Sequence, residues 1–158
     1  MSEKRNSGSV LFVCLGNICR SPIAEAVFAH LLRERGLDAR WTTDSAATSN
    51  WHIGGRADER GLALMKRKKV ERDHIVRQVT VDDFHQFDFI FAMDDNNIRN
   101  LDRVRPKDAP AVVQLLGEFD PEGVRIVEDP YYGEDEDFET VYDQCIRCCK
   151  AFLDKHAE

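Results

Sequence analysis

Two side chains near the start of the chain, Cys14 and Arg20, have the types and spacing needed for chemistry on a phosphate group. The residues between them include Gly16-Asn17, a pair typical of a tight turn. The backbone N–H groups of such a turn, together with a guanidinium, can hold phosphate oxygens. The same positive surroundings favour the thiolate form of cysteine, which is a nucleophile toward phosphorus. The spacing therefore predicts a phosphate loop with Cys14 as its nucleophile.

The elements that flank this loop place it where ligands bind. The apolar run 9–14 predicts a buried strand, and Ser21-Pro22 predicts a helix start with Ser21 as the N-cap. Apolar residues at helical spacing continue to Gly36, which is expected to end the helix. Ligands of parallel sheets bind beyond the carboxyl ends of the strands, and a helix N-terminus attracts anions. Both features favour an anion beside Cys14.

The rest of the chain alternates strands and helices. Further strands are predicted over 40–46, 89–93 and 112–116, helices over 58–68, 81–87, 94–104 and 138–155, and a long loop over 48–60. This alternation predicts an α/β fold with a parallel sheet that is covered by helices on both faces. A length of 158 residues suits a single domain, which we expect to span 1–158.

Composition excludes several other classes of protein. A net charge of −7 argues against a general nucleic-acid-binding surface, so no nucleic-acid partner is expected. No apolar run is long enough to span a bilayer, and the run 10–13 is too short for a secretory signal. The five cysteines are odd in number and clustered, which favours free thiols in a reducing compartment over disulfides or a structural zinc site. A cytoplasmic location is therefore predicted.

The segment 10–26, VLFVCLGNICRSPIAEA, resembles the signature of the low-molecular-weight protein tyrosine phosphatases, also called low-molecular-weight acid phosphatases. Further matching segments follow in the same order at 44–49, 91–94, 128–133 and 138–149, so the resemblance covers nearly the whole chain and is closest to the animal enzymes. It implies a flavodoxin-like three-layer sandwich whose four-stranded parallel sheet has the order 2-1-3-4.

The resemblance also implies a function. Protein tyrosine phosphatase and acid phosphatase activities are expected, with hydrolysis of aryl phosphates through a phosphocysteine on Cys14, phosphate binding by Arg20 and Asp129 as general acid and base. No cofactor and no metal are expected. The expected partners are phosphotyrosine proteins or small aryl phosphates, with inorganic phosphate as a product inhibitor. The chain is expected to be a monomer or to self-associate weakly.

Other site residues are assigned to three roles. Contacts to the substrate are expected from the phosphate loop and from aromatic walls: Leu15, Gly16, Asn17, Ile18, Cys19, Trp51, Tyr131 and Tyr132. Ser21 can support the sulfur of Cys14, and the resemblance implies that Ser45 and His74 brace Asn17. Cys19 is expected to be a resolving thiol that traps oxidised Cys14 as a disulfide.

Two alternatives share parts of this pattern. An arsenate reductase can have the same loop, but its chemistry uses further cysteines on a mobile segment, whereas here they lie on the predicted last helix. A non-catalytic phosphate- or flavin-binding module needs neither a nucleophilic cysteine nor an acid.

The chain departs from the pattern of the animal family at two places. One is the segment 56–60, where a proline-containing sequence is expected, and this difference bears on substrate specificity. Another is Ala92, which stands where a cysteine is common.

Overall fold

The computed structural model describes residues 4–158, so the first three residues of the predicted domain lie outside the described part of the chain. Four strands and five α-helices alternate along it. The strands are β1 (Gly8–Cys14), β2 (Trp41–Ala47), β3 (Phe89–Ala92) and β4 (Val112–Leu115). The helices are α1 (Arg20–Glu34), α2 (Glu59–Arg67), α3 (Asp83–Gln86), α4 (Asp95–Val104) and α5 (Asp135–His156), with a 3₁₀ turn at Leu116–Phe119.

The strands form one parallel sheet in the order β2-β1-β3-β4, which confirms the predicted fold. Cys14, the last residue of β1, lies beside Ala47, the last residue of β2. The carboxyl ends of the two central strands, β1 and β3, therefore open onto the same edge of the sheet. Within 4–158, no helix combines the length and the apolar character needed to cross a membrane.

Apolar side chains fill both faces of the sheet. On one face, α1 and α5 cover a cluster in which the Phe152 ring lies 4.9 to 6.0 Å from the rings of Phe28, Trp41, Phe89, Phe91 and Phe119. On the other face, Leu11, Val13 and Ile90 pack with Phe84 and Leu101. Because the central strands β1 and β3 are covered on both sides, they anchor the loops that follow them at the carboxyl edge of the sheet.

Two helix starts differ from the sequence prediction. Ser21 is not the N-cap of α1, because the helix begins at Arg20 after Cys19, and no side chain caps it. The Ser21 hydroxyl is instead committed to the phosphate loop. Helix α5 begins at Asp135, three residues before the predicted start, because Glu134 and Asp137 form a reciprocal capping box. The acidic run 134–137 is thus the start of α5.

Candidate active site

The phosphate loop, residues 14–21, leaves β1 and enters α1 around the sulfur of Cys14. The backbone N–H of Asn17 lies 3.3 Å from Cys14 Sγ, and Ser21 Oγ lies 3.0 Å from it. Ser21 Oγ accepts a hydrogen bond from Asn17 Nδ2 at 2.8 Å, so its own proton is free to point at the sulfur. Two hydrogen-bond donors thus converge on Cys14 Sγ.

Asn17 stabilises the conformation of the phosphate loop through its backbone and its side chain. Its φ is +58°, in the left-handed region that asparagine tolerates better than most residues. Its Nδ2 also donates to Ser45 Oγ at 2.9 Å, and its Oδ1 accepts from His74 Nε2 at 2.7 Å. The structure therefore brings Ser45 and His74 to Asn17, beneath the loop.

A buried carboxylate, Glu25, supports this network, and the sequence analysis had not singled it out. Glu25 Oε1 accepts from Ser45 Oγ at 2.6 Å and lies 3.3 Å from His74 Nδ1, while Oε2 accepts from Arg72 Nε at 2.6 Å. No sequence motif marked Arg72. The apolar neighbours of Glu25 on α1, Ala24 and Val27 among them, could have signalled its burial.

Glu25, Asp44 and His74 bring three potential metal-ligating atoms within 4.8 Å of one another. Both carboxylates already pair with guanidinium groups, since Arg72 holds Glu25 and Arg77 Nε donates to Asp44 Oδ2 at 2.9 Å. Two adjacent positive charges oppose the binding of a further cation. We therefore interpret this cluster as a hydrogen-bond network that supports the loop.

Arg20 is almost completely buried at the far end of the phosphate loop. It donates to Asp94 Oδ2 at 2.6 Å and to the carbonyl of Val127 at 3.0 Å. Burial acts to lower the pKa of Arg20, but the charge of Cys14 and the Asp94 carboxylate outweigh burial and raise that pKa. The guanidinium is thus fixed and charged beside the nucleophile. Asp94 also caps α4, and the sequence analysis had placed it only at the start of a predicted helix.

Above the loop lies a cavity of about 160 Å³. It is lined by Cys14, Leu15, Gly16, Ile18, Cys19, Arg20, Trp51, His52, Asp129, Tyr131 and Tyr132. Of the residues predicted to contact substrate, all but Asn17 line the cavity, and Asn17 lies beneath it with the supporting residues. His52 was missed, and its position next to Trp51 was the available signal. The ring of His52 lies over Gly16, where a Cβ atom would be 3.2 Å from His52 Cδ2.

Asp129 reaches the cavity from the loop between the 3₁₀ turn and α5. Its Oδ1 accepts from the backbone N–H of Tyr131 at 3.1 Å, and its Oδ2 lies 3.8 Å from Arg20 Nη2. The carboxylate is 40% exposed, so it can exchange protons with water. The Tyr131 and Tyr132 rings stand edge to face, 4.8 Å apart, and Tyr132 is 94% exposed.

Cys19 and Cys14 are both buried free thiols in the same loop. Burial, together with the nearby Asp58 carboxylate, raises the pKa of Cys19 to about 12. Cys19 is therefore a protonated thiol at neutral pH, in contrast to the two donors that face Cys14.

A parallel α/β sheet with a cysteine and an arginine in a loop at its carboxyl edge is an arrangement that suits the binding of a phosphate group. Residues 9–158 match the family model described as low molecular weight phosphotyrosine protein phosphatase. The chain belongs to this family.

Individual relatives agree with the family assignment. The chain is 56% identical over 149 residues to the low molecular weight phosphotyrosine protein phosphatase of Gallus gallus, covering 93% of this chain and 94% of the relative. It is 54% identical over 149 residues to that of Homo sapiens, with the same coverage. A crystal structure of a protein tyrosine phosphatase from Entamoeba histolytica, 37% identical, superposes with a TM-score of 0.90 over 94% of this chain and 96% of the other.

Proposed function

We propose that this protein hydrolyses phosphotyrosine and other aryl phosphate monoesters through a phosphocysteine on Cys14. The observation that carries the proposal is that Cys14, Arg20 and Asp129 line one cavity, with the nucleophile at its base and a carboxylate at its mouth. A binding module would need only the anion loop. The cavity holds the additional groups that a covalent phosphatase requires.

In the first step, the Cys14 thiolate attacks phosphorus while Arg20 and the loop N–H groups hold the phosphoryl oxygens. The bond between phosphorus and the aryl oxygen breaks, and Asp129 gives its proton to that departing oxygen. The products of this step are a phenol and the phosphocysteine.

In the second step, Asp129 takes a proton from a water molecule that attacks the phosphocysteine. The S–P bond breaks, inorganic phosphate forms, and the electron pair returns to Cys14. The hydrogen bonds from Ser21 and from the backbone of Asn17 stabilise the departing thiolate. Because the same cradle fits the product, inorganic phosphate is expected to be a competitive inhibitor.

The walls of the cavity support an aryl substrate. Trp51 and the two tyrosines offer aromatic surface on opposite sides, and Ile18 adds an apolar contact. A flat phenyl ring gains favourable contacts in such a slot, whereas an alkyl phosphate fills it less well. We therefore infer that tyrosine-phosphorylated proteins are the substrate class, and that aryl phosphates substitute for them in an assay of acid phosphatase activity.

The test is hydrolysis of phenyl phosphate in the presence of a chelator. We expect turnover by the wild type and none by Cys14→Ser. For Asp129→Ala we expect kcat/KM to fall by about 10²–10⁴, the usual contribution of a general acid. Asp102→Ala removes an exposed carboxylate on α4 and serves as the control. Absence of wild-type turnover would refute the function, and activity in Cys14→Ser would refute the mechanism.

The alternative of an arsenate reductase finds no support in the remaining cysteines. These are Cys145, Cys148 and Cys149, which are buried in α5 rather than exposed on a segment near Cys14.

We further propose that residues 1–158 act as one catalytic domain in the cytoplasm, where reducing conditions preserve the thiols. Immunofluorescence of the tagged protein tests this location, and a secreted or vesicular signal would contradict it.

We also propose that Cys19 protects Cys14 from irreversible oxidation. Hydrogen peroxide converts the Cys14 thiolate and one proton to a sulfenic acid and water. The Cys19 thiol then displaces water from that sulfenic acid to form the disulfide, which an external dithiol reduces. Because the pKa of Cys19 is raised to about 12, its thiolate fraction, and hence the rate of closure, rises about tenfold per pH unit between pH 7 and 9.

Recovery of activity after peroxide tests this proposal. Wild-type protein is expected to regain activity when dithiothreitol is added, and Cys19→Ser is expected to lose activity permanently after prolonged exposure. Cys148→Ser, which alters a buried cysteine outside the loop, is the control. Full recovery of Cys19→Ser would contradict a protective role for Cys19.

A further inference from the structure

The segment 128–134, which we call the acid loop, carries Asp129 but contains no regular secondary structure. Just before it, the chain is held by Val127, whose N–H donates to the Met93 carbonyl at 2.9 Å and whose carbonyl accepts from Arg20. Within the acid loop, the hydrogen bonds of Tyr131 and Gly133 N–H groups are local, to Asp129 and Pro130. These local bonds do not fix the acid loop to the rest of the fold.

Besides the 3.8 Å contact between Asp129 and Arg20, the acid loop is attached to the fold by Arg60, in the first turn of α2. Its Nη2 donates to the Tyr131 carbonyl at 2.8 Å, and its Nη1 donates to the Gly133 carbonyl at 3.2 Å. Its guanidinium lies 4.5 Å from the centre of the Phe138 ring, at the start of α5. Within residues 4–158, and apart from the bonds of Glu134 at the start of α5, these are the hydrogen bonds that join positions 129–134 to other parts of the chain.

The partner that orients Arg60 is itself bound to the phosphate loop. Asp58 Oδ1 accepts from Arg60 Nε at 3.1 Å, and Asp58 Oδ2 accepts from Arg60 Nη2 at 3.2 Å. The backbone N–H of Asp58 donates to the carbonyl of Ile18 at 2.8 Å. A continuous chain of contacts therefore runs from the phosphate loop through Asp58 and Arg60 to the acid loop.

We propose that Arg60 is a positioning residue that sets the distance between the general acid and the nucleophile. This inference rests on the proposed function. Arg60 lies outside the phosphate loop and does not line the cavity, so neither feature indicates a role for it. A guanidinium suits the task because its rigid fork donates from three nitrogen atoms to two carbonyls and a carboxylate, whereas all donors of an ammonium group lie on one nitrogen atom. Loosening the acid loop misplaces Asp129 while leaving Cys14 and the phosphate cradle in place.

The expected consequence depends on the leaving group. A general acid matters most when the departing oxygen is basic, as in phenyl phosphate, and least when the ring carries electron-withdrawing substituents. For Arg60→Met, we expect kcat/KM to fall by about tenfold on phenyl phosphate and by less than about threefold on a polyfluorinated aryl phosphate. The inhibition constant of inorganic phosphate is expected to stay within about twofold, because the phosphate cradle is unchanged.

A double-mutant cycle shows whether Arg60 acts through Asp129. In the Asp129→Ala background, Arg60→Met is expected to cause no further loss on phenyl phosphate. Arg67→Met, on the same helix but paired with Glu139 at the surface, is the control and is expected to be neutral. Arg60→Lys provides a second variant should Arg60→Met lower the thermal midpoint.

The outcomes separate this inference from the proposed function. Equal losses on both substrates, or additive losses with Asp129→Ala, would overturn the positioning role while the wild type still hydrolyses phosphate esters. Unchanged kcat/KM on phenyl phosphate in both Arg60→Met and Arg60→Lys would also overturn it. If the wild type is inactive on every aryl phosphate, the proposed function itself fails.

Discussion

Asn17 meets two demands that rarely fall on one residue. Its backbone adopts a left-handed conformation, and its side-chain amide joins Ser21, Ser45 and His74 beneath the nucleophile. Glycine would meet the first demand but not the second, and most other side chains would meet neither. Individual residues of the loop are therefore constrained by the network beneath it as much as by the phosphate above it.

Two substitutions of Asn17 separate these demands. Asn17→Gly keeps the backbone free of strain but removes the amide, and each hydrogen bond lost by a buried group costs about 1–3 kcal/mol. We expect a fall in kcat/KM of about tenfold or more with this variant. Asn17→Ala adds strain of about 1–2 kcal/mol and should also lower the thermal midpoint. Steady-state kinetics and thermal unfolding provide the comparison, and wild-type kinetics in Asn17→Gly would contradict a bracing role.

The sequence predicted the residues whose chemistry is rare and missed those whose role depends on burial. Cys14 and Arg20 are recognisable because a thiol and a guanidinium at this spacing suggest one kind of site. Glu25 and Arg72 are recognisable only in three dimensions, because nothing local shows that a carboxylate in α1 and a guanidinium of a distant loop will meet. The same applies to Arg60, which contacts segments about 70 residues away.

At the scale of elements, the strand–loop–helix unit from β1 to α1 carries Cys14, the proposed nucleophile, while an irregular segment carries Asp129, the proposed general acid. The elements were predictable because apolar periodicity and turn residues are local signals. The N-cap of α1 was not, because the Ser21 hydroxyl bonds to the sulfur and to Asn17 rather than to the helix. The contacts of Ser21 with Cys14 and Asn17 therefore outweigh its preference for the N-cap position.

Substitution of Gly117 tests whether close packing of the 3₁₀ turn supports the segment that leads to Val127 and Asp129. A Cβ atom at Gly117 would lie 2.0 Å from the Arg125 carbonyl oxygen and 2.7 Å from that of Val124. Gly117→Ala must push this backbone away, and we expect a loss of about 1–3 kcal/mol in unfolding free energy with reduced activity. Gly61→Ala is the control, since its Cβ atom would meet only ordinary contacts and alanine favours a helix. Denaturant unfolding measures both, and equal stability of the two variants would contradict the argument.

For the molecule as a whole, α5 joins the last third of the chain to the sheet. Beyond its apolar face, Arg147 on α5 donates to both oxygens of the buried Asp120 at 2.9 and 3.0 Å. The parallel order of the sheet followed from the alternation of elements. This ion pair did not, because the loop that presents Asp120 has no periodicity from which its position could be predicted.

The ion pair between Arg147 and Asp120 leads to a prediction of how the free energy of unfolding depends on pH. The Arg147 hydrogen bonds hold the pKa of Asp120 below its ordinary value, even though burial opposes this. Asp120 therefore adds stability above the unfolded-state pKa of about 3.9, and this contribution declines below that pH until it is lost as pH falls through the lower folded-state pKa. Arg147→Met should cost about 2–3 kcal/mol at pH 7 and less in acid, because the buried carboxyl group that has lost its partner then takes up a proton.

Unfolding free energies at pH 7 and pH 3.5 provide the measurement. Arg125→Met, which breaks an exposed pair with Asp95, is the control and should cost less than about 1 kcal/mol. An Arg147→Met deficit that is the same at both pH values would contradict the assignment of this stability to Asp120 ionisation.

The covalent intermediate tests the central claim most directly. Wild-type protein mixed with phenyl phosphate, denatured within milliseconds and digested, should yield a peptide that carries a phosphoryl group on Cys14 by mass spectrometry. The same treatment of Cys14→Ser should yield no phosphopeptide. A phosphoryl group on any other residue, or rapid hydrolysis by the wild type with no phosphocysteine detected, would contradict the account.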